Sequence, residues 1–149
     1  MKYVFFAAAA ACCMICTSCG EQQPSVKTQG LFSEPVNTWD DVTLSVQSSD
    51  NVSATLELKS TCDETVYFEE AYRIQVQSGK EWYEVAPEHE PWFTALGYML
   101  TTNYPSQTLE LNWADSYGEL PAGNYRIVKQ ISKESESESC YVSAAFEIE

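Results

Sequence analysis

The sequence predicts an all-β fold of two facing antiparallel sheets, and three observations carry that expectation. From residue 41 onward apolar residues recur at every second position, the period of a strand with one buried face. Turn-forming clusters such as Ser48-Ser49-Asp50-Asn51 and Ser78-Gly79-Lys80 cut those runs into short segments. No stretch longer than about ten residues keeps a helical period. At 149 residues the chain has room for one domain around one core, and not for two with a linker.

The elements follow in order. Val42, Leu44 and Val46 alternate with polar neighbours, and after the first break Val52, Ala54, Leu56 and Leu58 do the same, which predicts an opening antiparallel pair. A third run holds Val66, Phe68, Tyr72, Ile74 and Val76, and Ser78-Gly79-Lys80 turns it into Trp82, Tyr83 and Val85 as a second hairpin. Leu109, Leu111 and Trp113 mark one further strand, Tyr125 to Ile131 another, and Val142, Ala144, Phe146 and Ile148 the last. Residues 86–105 are the least regular and are expected to hold at most a short helical turn. About seven strands with turns between them predict an immunoglobulin-like two-sheet sandwich rather than a barrel or an α/β fold.

The amino terminus has a different character. Met1-Lys2 precedes fourteen uncharged, mostly apolar residues from Tyr3 to Cys16, followed by Thr17-Ser18-Cys19-Gly20. A basic start, a short apolar stretch and a small-residue zone form an export signal. A full bilayer span needs roughly 20 apolar residues, so a cleaved signal over 1–18 fits better than a permanent anchor. Thr17-Ser18-Cys19-Gly20 resembles a bacterial lipobox, in which the cysteine is lipidated and becomes the new amino terminus; Cys16 stands where Leu is usual. Cys19 is therefore the expected lipid attachment site, with plain secretion or an uncleaved anchor as the alternatives. Cys13-Met14-Ile15-Cys16 has the spacing of a zinc or redox site, but it lies in the segment expected to be removed. Residues 19–38, rich in Gln, Ser, Pro and Gly, read as a flexible tether of at most about 65 Å. Residues 39–149 form the expected domain.

Charge narrows the partners. The chain carries 22 acidic against 8 basic residues, a net charge of −14, which repels a phosphate backbone and argues against nucleic acid. The expected partners are a membrane, reached through the lipid, and an unidentified protein or glycan ligand. The chain is expected outside the cytoplasm, at the cell membrane or envelope.

Leu120-Pro121-Ala122-Gly123-Asn124-Tyr125 carries a more specific signal. A Tyr near the start of the penultimate strand of such a sandwich folds back and donates its hydroxyl to backbone just upstream; Tyr125 is placed for that role, and Gly123 is expected to supply freedom for the reversal. With Trp82-Tyr83-Glu84-Val85, Asn112-Trp113, Tyr117-Gly118, the run on to Arg126-Ile127-Val128-Lys129, and Ala144-Ala145-Phe146-Glu147-Ile148, the stretch from Trp39 to the end resembles the bacterial Ig-like domain family of exported proteins. The resemblance implies a sandwich with no agreed activity and no catalytic residues to carry over.

Cys62 and Cys140 remain once the leader and Cys19 are set aside. Cys62 shares parity with Val52 to Leu58, and Cys140 with Val142 to Ile148, so both extend an inward face; in an Ig-like order they meet at one pole. An exported compartment permits a disulfide between them. Closing a loop of roughly 80 residues stabilises by about 4.5 kcal/mol in the chain-entropy model. The alternative is two buried free thiols.

No constellation fixes a reaction. His89, the only histidine, sits in Pro87-Glu88-His89-Glu90-Pro91 without a nucleophile elbow in the chain, and reads as an exposed loop residue. Asp40-Asp41 and Glu69-Glu70 lack the converging oxygens of a calcium site and read as solvated surface. Lys133 to Ser139 forms a polar loop whose carboxylates discourage edge-to-edge association. No catalytic, cofactor or metal residue is assigned. The most informative segment runs from Trp92-Phe93 to Tyr98, with Tyr104 beyond: it either covers an open edge of the core or presents an aromatic platform to a ligand. The expected function is a non-catalytic, membrane-tethered recognition or accessory domain. An inhibitor or sensor of an envelope enzyme is the alternative, and a small glycan or peptide hydrolase the less favoured one.

Overall fold

A computed structural model describes residues 26–136 and 138–149. The expected export signal over 1–18 and the expected lipidation site Cys19 lie outside the described residues. The chain forms β1 (Thr28–Leu31), β2 (Val42–Ser49), β3 (Ser53–Ser60), β4 (Val66–Glu69), β5 (Arg73–Ser78), β6 (Glu81–Val85), β7 (Gly97–Leu100), β8 (Ser106–Asn112), a one-turn helix α1 (Ala114–Tyr117), β9 (Gly123–Lys133) and β10 (Cys140–Ile148). Two sheets face each other, as the period-two pattern requires. The smaller has the order β2-β3-β8, and the larger runs β1-β6-β5-β9-β4-β7 with β10 on the other side of β9. All strand pairs are antiparallel.

The two expected hairpins form. Leu44 pairs with Leu58 and Val46 with Leu56 across β2–β3, whereas β5 and β6 turn at Gly79, whose φ of +61 suits glycine. Ala54, Leu56 and Leu58 meet Ile74, Val76, Ile127, Ile131 and Val142 in a single core. Burying that many aliphatic side chains at about 1.5–3 kcal/mol each is the main term holding the sheets together.

Tyr125 fulfils its expected role: its hydroxyl donates to the Pro121 carbonyl at 2.8 Å while its ring is fully buried. Gly123 does not have positive φ, unlike Gly79 and Gly118. Its requirement is space, because a Cβ there would lie 3.3 Å from the Tyr125 ring. Trp113 is also fully buried and donates from Nε1 to the Asn51 carbonyl at 3.0 Å.

Three expectations are corrected. The third run is two strands, β4 and β5, because residues 70–72 leave the sheet. The helical turn falls at α1, after Trp113, while residues 97–100 of the irregular region form β7 against β4. The expected tether is ordered from residue 26 onward. Val26 packs on the core, Leu31 pairs with Tyr83 across β1–β6, and Val36 bridges Tyr141 of β10 in parallel. This arm crosses the outer face of the larger sheet, where Phe32 meets the Tyr141 ring edge-on and the Arg126 guanidinium lies 4.5 Å from the Trp82 ring centre. Composition made the segment look loose; backbone pairing, which composition does not record, holds it.

Among the described residues no helix is long and apolar enough to cross a membrane.

Candidate functional site

The sandwich has two long sides. On one, β2 packs beside β10. On the other, β8 ends the smaller sheet while the larger sheet continues past it through β4, β5, β6 and β7, leaving a groove of about 400 Å³ along β8 from Gln107 to Asn112. The Pro91-Trp92-Phe93 segment forms its far wall, and Phe68, Tyr72, Tyr98 and Lys129 line it from the larger sheet.

The wall is anchored by one carboxylate. Glu70 accepts from the Thr94 backbone N–H at 3.0 Å and from the Tyr98 hydroxyl at 2.9 Å, tying the 91–98 segment to the β4–β5 connection. These bonds, Thr94 first and then Tyr98, hold the Glu70 carboxyl below its ordinary value. The Tyr98 ring stacks on Phe68 at 5.5 Å, and Phe93 meets Tyr72 edge-on at 5.2 Å. Phe93 and Tyr98 are therefore half-buried packing residues, while Trp92 is 84% exposed and makes no comparable ring contact among the described residues. Tyr104 is exposed too. The core-cover reading of the segment fits Phe93 and Tyr98, while Trp92 stands in water.

The back of the groove is held by Lys129, which sequence reasoning did not single out. Its ammonium donates to the carbonyls of Glu69, Glu70 and Ala71 at 2.7, 3.1 and 3.0 Å, and only 2% of the residue is exposed. Each of its three protons has an acceptor. Burial pushes the ammonium down to about 8, against the pull of Glu70 and then Glu69. Burial likewise drives the Tyr72 hydroxyl up to about 12, helped by Tyr117, and that hydroxyl donates to the Asn112 carbonyl at the end of β8. The groove thus combines aromatic rings with the carboxylates of Glu69, Glu70 and Glu110, and its one cation is consumed internally.

Asp40-Asp41 and Glu69-Glu70, expected as solvated surface, include two structural anchors: Glu70 above, and Asp41, which receives the Lys133 ammonium at 2.8 Å. His89 is an exposed loop residue whose backbone N–H bonds the Ser116 carbonyl. Among the described residues no group of His, Cys, Asp and Glu is arranged to hold a metal ion.

Cys62 and Cys140 are both free thiols, so the expected disulfide is not formed in this structure. Cys62 lies past the end of β3, where its Sγ is 2.9 Å from Ser60 Oγ and donates to the Glu64 carbonyl at 3.3 Å. Cys140 starts β10 on its inward face. Burial raises its thiol, opposed by a hydrogen bond with Thr38 and by the charge of Lys133.

A model of the bacterial Ig-like domain family matches residues 37–147, nearly the whole described sandwich. The chain belongs to that family. No curated protein matches the chain. In this Ig-like domain the matched span begins at Asn37, so the arm that carries β1 lies before it, while β8, the 91–98 wall and Lys129 lie inside it.

Proposed function

We propose that this Ig-like domain is a non-catalytic recognition module of the bacterial envelope, lipid-anchored through Cys19 after removal of residues 1–18, and that it binds its partner in the groove beside β8. The observation that carries the reading is the exposed Trp92 on a wall pinned by Glu70, Thr94 and Tyr98: a large ring kept in water on a braced segment is the usual anchor of a binding surface. The lipobox-like run supports the anchor, and mass spectrometry of the amino-terminal peptide from the native chain tests it, a bare Cys19 ending that part. Within the same compartment, exchange with a disulfide oxidant that departs as two thiols would close Cys62 to Cys140. Thiol titration of the natively exported chain after unfolding without reductant decides this, two reactive thiols ruling the bridge out.

The function itself is tested by pull-down from envelope extract and by a glycan array, each with the purified chain and with Trp92→Ala. Binding lost in the variant at unchanged melting temperature supports the groove. Binding kept by the variant removes it. Turnover on broad hydrolase substrates would overturn the non-catalytic reading. An inhibitor or sensor of an envelope enzyme remains the second form of the same recognition role, and the partner recovered in the pull-down separates the two.

A further inference from the structure

The free edge of β8 has a definite hydrogen-bonding parity. The Ser60 N–H bonds the Pro105 carbonyl and the Trp113 N–H bonds the Val52 carbonyl, at the two ends of the β3–β8 ladder. In an antiparallel pair bonded and non-bonded positions alternate, so odd-numbered residues of β8 point their backbone groups at β3 and even-numbered ones point them away. The Tyr72 hydroxyl on the Asn112 carbonyl agrees with that parity, because Asn112 is even and its acceptor is met from the groove side. Thr108 and Glu110 therefore present two N–H and two C=O groups to the groove, with those of Ser106 just beyond its end, and among the described residues none of these groups has a backbone partner. Side chains alternate at right angles to this: Gln107, Leu109 and Leu111 face inward, while Ser106, Thr108 and Glu110 are exposed.

Resting on the groove reading above, we propose that the groove takes an extended, cationic polypeptide segment of another protein, which pairs with β8 as a fourth strand of the smaller sheet. The main-chain groups supply the pairing, and the space beside Gln107 to Asn112 supplies the room. Alternate side chains of such a strand would point at the aromatic floor of Tyr72, Phe93 and Phe68, and the others would stand beside Glu110 on the outer surface. Charge selects the occupant. With Glu69, Glu70 and Glu110 around the groove and −14 on the whole chain, a second copy offering its own β8 would bring like charges together, whereas Lys or Arg on the incoming strand is attracted.

The probe is a fluorescent peptide of about nine residues alternating lysine and valine, long enough to cover β8, titrated by anisotropy into the purified full chain. Micromolar binding is expected, weakened about tenfold or more when alternate peptide amides are N-methylated, since that change removes pairing and keeps the charge. Thr108→Pro should weaken it similarly, because it removes an N–H that makes no bond within the sheet. Glu110→Gln should weaken it severalfold. Amide exchange gives a readout that needs no variant: the Thr108 and Glu110 protons exchange quickly in the free chain and become protected with the peptide bound. Equal binding of the methylated peptide, no binding of the parent peptide, or self-association of the chain abolished by Thr108→Pro would each overturn the proposal. If the peptide is silent while Trp92-dependent binding appears on the glycan array, the groove keeps its recognition role and the strand-pairing chemistry falls.

Discussion

The two long sides of the sandwich solve the same edge problem in opposite ways. On the β10 side the amino-terminal arm closes the sheet: the Asn37 N–H donates to the Tyr141 carbonyl at 2.7 Å, and the Asn37 side chain accepts from the Ser143 N–H at 2.8 Å and donates to its hydroxyl at 3.1 Å. Asn37 holds φ at +56 to do this, a conformation that Asn tolerates better than most residues. On the β8 side, among the described residues, no segment takes that position; the 91–98 wall stands off and leaves a groove. An exposed strand edge invites unwanted pairing, so proteins usually cover it or charge it. Here one edge is covered, while the other is bordered by carboxylates and left accessible. The difference leaves main-chain groups paired along one edge and turned toward the groove along the other.

The largest effect is expected from removing the brace behind the open side. Lys129→Met removes a buried ammonium that donates to three carbonyls and should cost about 2–3 kcal/mol in urea denaturation, with the 91–98 wall loosening in hydrogen exchange. Next comes the closed side. Asn37→Ala loses the side-chain bonds and strains the backbone, for about 1–2 kcal/mol, whereas Asn37→Gly relieves the strain and retains only the loss of the bonds. The ratio of the two losses tells how much of the seal is side chain. Tyr125→Phe, on neither edge, should cost about 1 kcal/mol through the corner bond to Pro121. The smallest stability effect belongs to Trp92→Ala, within about 0.5 kcal/mol of the parent, because an exposed ring has little packing to lose.

Lys129 also makes the comparison depend on pH. The folded chain releases the Lys129 proton near 8, whereas the unfolded chain holds it to the ordinary value of 10.5. Between those values the unfolded state binds more protons, so this residue makes stability rise with pH across that window. Denaturation midpoints measured across it should rise less in Lys129→Met than in the parent.

Much of the fold was legible because alternation reports burial directly. The hairpins of β2–β3 and β5–β6, the strands β8 to β10 and the Tyr125 corner all carry side-chain signals. What stayed hidden carries none. Thr28-Gln29-Gly30-Leu31 has no period, and it joins the larger sheet through backbone groups that every sequence possesses. Arg126 and Lys129 are charged residues within an apolar run, and nothing local shows that both are buried: one under Phe32 and Trp82, the other by donating to three carbonyls at a turn. Trp92, Phe93 and Tyr98 were visible as an aromatic cluster, but their division into two packing residues and one exposed ring depends on Phe68, Glu70 and Tyr72, distant in sequence. The open edge of β8 was hidden for the same reason, since an unpaired strand is a property of its neighbours.

The arm over the outer face has a mechanical consequence. A tug from the leader side reaches the short β1–β6 ladder and the Val36–Tyr141 bridge before it reaches the core strands. Those few rungs can peel while β2 to β10 stay folded, and the twelve or so residues released would add about 40 Å of slack. Under any load applied from the amino-terminal side, the arm is then a sacrificial link, giving reach before the sandwich itself bears strain.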